Sequence, residues 1–98
     1  MFSISYEVAA EEDLRCLRAY ERRRVLDEID RQLMIAPTTS TSRRNLLSGI
    51  EPPWNAARPV WQLRVGDLRV FYDVDTERRE VVVRAVRRKG GKGTKEIL

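Results

Sequence analysis

The segment at 61–75, WQLRVGDLRVFYDVD, constrains this chain most. Two apolar-alternating runs flank Gly66-Asp67, and a two-residue loop carrying glycine is a strong short-range signal for a β-hairpin. With that loop the register is fixed. Val65 faces Leu68, Arg64 faces Arg69, Leu63 faces Val70, Gln62 faces Phe71 and Trp61 faces Tyr72. Side chains alternate along a strand, so Trp61, Leu63, Val65, Leu68, Val70, Tyr72 and Val74 share an apolar face. Arg64 and Arg69 meet on the other. Like charges directly opposite one another are unfavourable in a sheet. Paired guanidinium groups on a rigid strand pair are, however, well suited to gripping phosphate. The sheet is therefore expected to present a cationic face to a polyanion, although arginines on a wet sheet face also occur as plain solvated surface.

The rest of the chain supplies what the hairpin packs on. Residues 2–8 alternate as a strand, with Phe2, Ile4, Tyr6 and Val8 on one side. A helix is expected over 9–20, with Glu11, Glu12 and Asp13 in its first turn, where the helix dipole favours negative charge. After a break near Tyr20, Val25, Leu26, Ile29, Leu33 and Met34 recur at helical spacing up to Pro37. This α-hairpin has one apolar stripe, and the apolar face of the sheet is its natural seat. Residues 36–59 show no period and hold all 4 prolines. A connection this long is often functional. Arg43 and Arg44 lie in it, within reach of the face that carries Arg64 and Arg69, and Trp54 either pins the loop to the body or stacks on a base. The last strand is expected over 79–88. Val81, Val82 and Val83 suit a strand with neighbours on both sides. It leaves as Arg84, Arg87, Arg88 and Lys89 into GGKGTKEIL, which adds Lys92.

Composition narrows the chemistry. A chain of 98 residues makes one domain, 1–98, with one core. The formal charge of +4 points to nucleic acid or an acidic partner protein. There is no histidine, so histidine acid–base catalysis and Ser-His-Asp triads are excluded. With 1 cysteine, no internal disulfide can form and no zinc site is expected. Cys16 falls within a helical pattern, and a half-buried small residue is expected there. No apolar run approaches a membrane span and MFSISYEV is not built like a signal peptide, so no membrane association and a cytoplasmic location are expected.

The order strand, two helices, long loop, three antiparallel strands resembles the RelE/ParE toxin superfamily. So do the residues. WQLRVGDLRVFYDVD is similar to the family's segment of an aromatic residue, L-R, a glycine turn, an arginine and F/I/V-Y. RRRVLDEIDRQL before a proline resembles its second helix, RRNLLSGI its R-N-x-x-x-L segment, and EVVVRAVRRK its last strand. The resemblance implies an α+β fold, an N-terminal strand and α-hairpin packed on an antiparallel sheet completed by three C-terminal strands. It also implies a toxin of a type II toxin–antitoxin pair, with a cognate antitoxin as partner. In the RelE branch such a toxin is a metal-independent mRNA endoribonuclease acting in the ribosomal A site, with no cofactor. In the ParE branch it is a DNA gyrase inhibitor, and a homologue that only binds its antitoxin is a further form. Carried across by position, Arg69 matches the arginine after the hairpin turn, Arg64 the basic residue before it, and Lys89 the basic residue after the last strand. These are the implied catalytic residues, with Arg43, Arg44, Arg84, Arg88 and Lys92 as RNA-binding residues. The chain departs from the family in having Val60 and Gln62 where many relatives carry lysines, and in ending TKEIL without a C-terminal tyrosine or histidine. Lys89, Lys92 and Glu96 are the groups left for proton transfer.

Overall fold

A computed structural model describes residues 1–49, 51–54, 58–91 and 93–98. The chain runs β1 (Ser3–Tyr6), α1 (Val8–Arg15), α2 (Ala19–Leu33), β2 (Arg44–Leu46), β3 (Trp61–Val65), β4 (Leu68–Asp75), β5 (Glu80–Arg88) and α3 (Thr94–Ile97). The strands form one 5-stranded sheet in the order β1-β5-β4-β3-β2. The pairings β2–β3, β3–β4 and β4–β5 are antiparallel, while β1 joins β5 in parallel, so the sheet is mixed at that edge. A parallel neighbour needs a crossover, and the α-hairpin provides it.

The hairpin register is the one its turn dictates, from Val65 opposite Leu68 to Trp61 opposite Tyr72. Only the first loop residue has positive φ, +58° at Gly66, the glycine position of a II′ loop. Leu63, Val65, Leu68, Val70, Tyr72 and Val74 lie in the main core with Val81, Val83 and Val86 of β5. Val25, Ile29 and Leu33 come down on them from α2, one residue per helical turn. Burying each such side chain contributes about 1.5–3 kcal/mol.

Several expectations shift by a few residues. The break between the helices falls at 16–18, because Arg18 is extended (φ −63°, ψ 152°) and starts α2 at Ala19. Tyr20 is thus in the first turn of α2 and 68% exposed. Leu14 and Leu17, whose carbonyls lie at the end of α1, accept hydrogen bonds from Arg22 Nε (3.0 Å) and Nη2 (3.1 Å), so a side chain satisfies groups that a helix end leaves open. Cys16 sits at this break and is exposed rather than half-buried. Val8 opens α1 instead of ending the strand and is 67% exposed. The long connection holds an unforeseen strand, β2, on the free edge of β3.

Candidate functional site

Cross-strand pairing builds the site. Arg64 is opposite Arg69, and Arg69 is opposite Arg87. Beyond the first residue of β2 the ladder continues, since the Arg64 N–H donates to the Arg43 carbonyl at 2.7 Å. One line across β2, β3, β4 and β5 therefore reads Arg43, Arg64, Arg69, Arg87, with strands about 4.8 Å apart. Directly opposed side chains share a face, so Arg64, Arg69 and Arg87 lie on the wall away from the core face of the sheet.

The sheet handles this repulsion differently at each position. Arg69 is 7% exposed. Its Nη1 turns back over the loop and donates to the carbonyls of Gly66 and Leu68, both at 2.9 Å. Burial, and then the charge of Arg64, holds its pKa below the usual arginine value, with Asp67 opposing; a guanidinium stays protonated even so. Arg87 Nη1 donates to Asp13 Oδ2, which also accepts from the Val86 N–H at 2.9 Å. Arg43 Nη1 stands 4.0 Å from Glu28 Oε2, and its side chain is 65% exposed. Arg64 is exposed and makes no side-chain hydrogen bond or ion pair among the described residues.

The remaining residues singled out in the sequence fall elsewhere. Arg44 turns to the other face, where its Nη1 donates to the Gln32 carbonyl (2.9 Å) and to that of Ala36, past the end of α2. Arg84 is held by two carboxylates, Nε on Asp73 Oδ2 at 2.8 Å and Nη1 on Glu7 Oε1 at 2.6 Å. Arg88 donates to Glu21 Oε2 at 2.8 Å, so that the Glu21 carboxyl titrates below its ordinary value. Lys89 comes directly after β5, two residues past Arg87, and is half-buried. Its N–H donates to the Asp67 carbonyl at 2.8 Å, which ties the exit of β5 to the hairpin tip. Lys92 lies outside the described residues.

The wall is not open along its whole length. Phe71 and Ala85, next to the arginine line, are covered by Val60 and Ile97, with Leu47, Trp54 and Leu98 packed around them. Trp54 thus pins the loop. The arginine face narrows to the hairpin end of the sheet. Of the 3 tyrosines, none is part of it. Tyr72 is buried in the main core and donates to the Pro37 carbonyl at 2.6 Å, Tyr6 packs against the same core and Tyr20 is on α2. Among the described residues, no group of acidic, cysteine or histidine side chains could hold a metal ion, and no helix is long and apolar enough to cross a membrane.

Two arginines join the site that the hairpin alone does not reveal. Arg87 is brought opposite Arg69 by the β4–β5 register, which shifts between Phe71 and Tyr72. That irregularity leaves no trace in the alternation of the sequence. Arg24 of α2 reaches the hairpin loop, with Nη1 3.0 Å from where a Cβ on Gly66 would stand. A polar position on a helix gives no hint of such a long-range contact.

Residues 4–90 match the family described as the ParE toxin of type II toxin-antitoxin systems, parDE. A search of curated protein sequences finds no match. Among solved structures, the chain is similar to the archaeal RelE–RelB complex from Pyrococcus horikoshii, with TM-score 0.71, 20% identity, 91% of this chain and 96% of that chain covered. It is also similar to the RelBE2 toxin–antitoxin complex of Mycobacterium tuberculosis, with TM-score 0.58, 19% identity and coverage of 87% and 94%. The isolated Escherichia coli RelE toxin gives TM-score 0.57, 16% identity and coverage of 88% and 82%. At these identities the likeness is one of fold.

Proposed function

The chain belongs to the ParE toxin family of type II toxin–antitoxin systems, within the RelE/ParE superfamily, and from that premise we propose that it is the toxin of such a pair and acts as a metal-independent endoribonuclease on mRNA at the ribosome. The observation that carries this reading is the arginine line at the hairpin end of the sheet. It concentrates guanidinium groups where an RNA phosphate is best held, in a geometry fixed by strand pairing. Arg64, exposed and unpaired among the described residues, grips the scissile phosphate. Arg69, fixed by two carbonyls, stabilises the negative charge that builds on it. In the reaction the RNA 2′-oxygen attacks the adjacent phosphorus, its proton passing to water. The bond from phosphorus to the 5′-oxygen breaks, leaving a 2′,3′-cyclic phosphate. Lys89, tied to the same end through Asp67, donates a proton to the departing 5′-oxygen. A cognate antitoxin places acidic side chains over these arginines, as complementary charge at an interface requires. The cytoplasm is the compartment in which all of this takes place.

A second reading has its own support. The tyrosine side chains are engaged in the core or lie on α2, and no phenol is available on the arginine face to orient a 2′-hydroxyl. That favours a ParE-type toxin that inhibits DNA gyrase by binding, or a homologue that only binds its antitoxin. Induced expression in a host separates these. Mapping RNA ends shows cut messages under the first reading, with Arg69→Ala abolishing cleavage while the fold persists. Intact RNA with relaxed plasmid selects the second.

A further inference from the structure

Where β2 meets β3, the hairpin tip and α2 enclose a cleft of about 290 Å³. That is at the small end of ligand sites, which run roughly 300–1,000 Å³. Arg24 enters from α2, Ser42 and Arg43 from the segment before β2, and Arg64 and Gly66 from the hairpin. Among the described residues, neither Arg24 nor Arg64 makes a side-chain hydrogen bond or ion pair. The acidic residue at the rim, Glu28, is already engaged: Oε1 accepts from Arg31 at 3.1 Å and Oε2 from Gln32 at 2.6 Å. Gly66 lets the Arg24 guanidinium lie against the loop, because a Cβ there would stand 3.0 Å from Nη1. Three guanidinium groups and a hydroxyl thus line one recess with a single, shared carboxylate.

We infer that the Arg24–Ser42–Arg43–Arg64 cleft is a phosphate-binding subsite, separate from the buried Arg69. Three forked, permanently charged donors around a tetrahedral oxyanion give directed hydrogen bonds that a carboxylate partner, planar and with fewer acceptor oxygens, fills less completely. The phosphate comes either from an RNA strand crossing the tip, the phosphate next to the scissile one sitting on Arg24 and Arg43 while Arg64 bridges it to the scissile phosphate at Arg69, or from a free nucleotide. The RNA source rests on the function proposed above; the phosphate chemistry does not.

Fluorescence anisotropy of a labelled single-stranded RNA, with inorganic pyrophosphate as competitor, tests it on the whole chain. Arg24→Ala is expected to weaken RNA binding about tenfold at low salt, the loss of a charge-assisted contact, and to reduce the slope of log K against log salt by roughly 0.7. Arg78→Ala, an exposed arginine in the turn before β5, is expected to leave both unchanged. Pyrophosphate protecting the wild type but not Arg24→Ala against heat supports the phosphate site. RNA binding that also needs Arg24 names the strand as its source; pyrophosphate binding alone names a free phosphate. Unaltered binding of both probes by Arg24→Ala and by Arg24→Ala/Ser42→Ala overturns the inference. So does tighter binding of an acidic peptide than of RNA at equal salt. Since the readout is binding, the two ideas fail separately: cleavage lost with Arg69→Ala while Arg24→Ala binds normally removes the subsite alone, and Arg24-dependent binding by a chain that never cuts removes the nuclease alone.

Discussion

Asp73 is 1% exposed, and its Oδ2 accepts from one guanidinium, that of Arg84, at 2.8 Å, while its Oδ1 is buried without a partner. Such a carboxylate depends on its counter-charge. Arg84→Ala should therefore cost about 3–5 kcal/mol, the penalty for stranding one member of a buried pair, read from the midpoint of urea unfolding at unchanged slope. Arg78→Ala, on the surface, should stay within roughly 0.5 kcal/mol. The sequence presents these two arginines alike. What separates them is the β4–β5 irregularity, where Phe71 pairs with Ala85 and Tyr72 with Val83, leaving Arg84 unopposed and turned to Asp73. A second single-atom case is the Tyr72 hydroxyl, bonded to the carbonyl of the buried Pro37 at 2.6 Å. Tyr72→Phe removes the donor and leaves that carbonyl unsatisfied, and should cost about 1–3 kcal/mol by the same measurement.

The β3–β4 hairpin is the element most fully legible in the chain, because a period of two and a two-residue glycine loop leave one register. The elements less legible are those whose limits depend on distant partners. β2 has three residues and exists through its pairing with β3, so its sequence, RNL, carries no alternation to read. At the end of α1, Arg22 reaches back to the carbonyls of Leu14 and Leu17, a contact that helical periodicity does not encode. The hairpin itself can be tested at Gly66. Its φ of +58° suits glycine, and an added Cβ would press on Arg24 at 3.0 Å. Gly66→Ala should cost roughly 1–2 kcal/mol for the left-handed backbone and also displace Arg24. Thermal unfolding reports the first effect, and the salt slope of RNA binding the second, so a loss in both ties the turn to the cleft. Wild-type stability in Gly66→Ala would mean the loop relaxes to another turn type.

Taken as one body, the molecule is a sheet covered on both walls, by α1 and α2 over the main core and by Val60, Ile97, Leu47 and Trp54 over Phe71 and Ala85. The first covering was readable from the stripe on α2. The second was not, since the sequence around Trp54, Val60 and Ile97 shows no period, and the burial of Val60 and Ile97 follows from what Phe71 of β4 and Ala85 of β5 offer them. This leaves Arg64 exposed at one end of the sheet beside the buried Arg69. With no histidine in the chain, its stability at alkaline pH depends on phenols. Burial, and then the charge of Asp30, pushes the Tyr6 hydroxyl up to about 12, and burial pushes that of Tyr72 up as well. An unfolded tyrosine ionises near pH 10. Between that value and the folded one, the native chain holds protons that the unfolded chain has released, so unfolding is favoured as pH rises. The contribution is complete below about pH 10 and is lost as pH climbs through about 12. Thermal midpoints measured from about pH 8 upward should run flat and then fall past about pH 10. Tyr6→Phe, which cannot ionise, should retain more of its midpoint there than the wild type does. A wild-type midpoint that stays level to about pH 12 would mean that the phenol of Tyr6 reaches water in the folded chain and gains nothing from its place against the core.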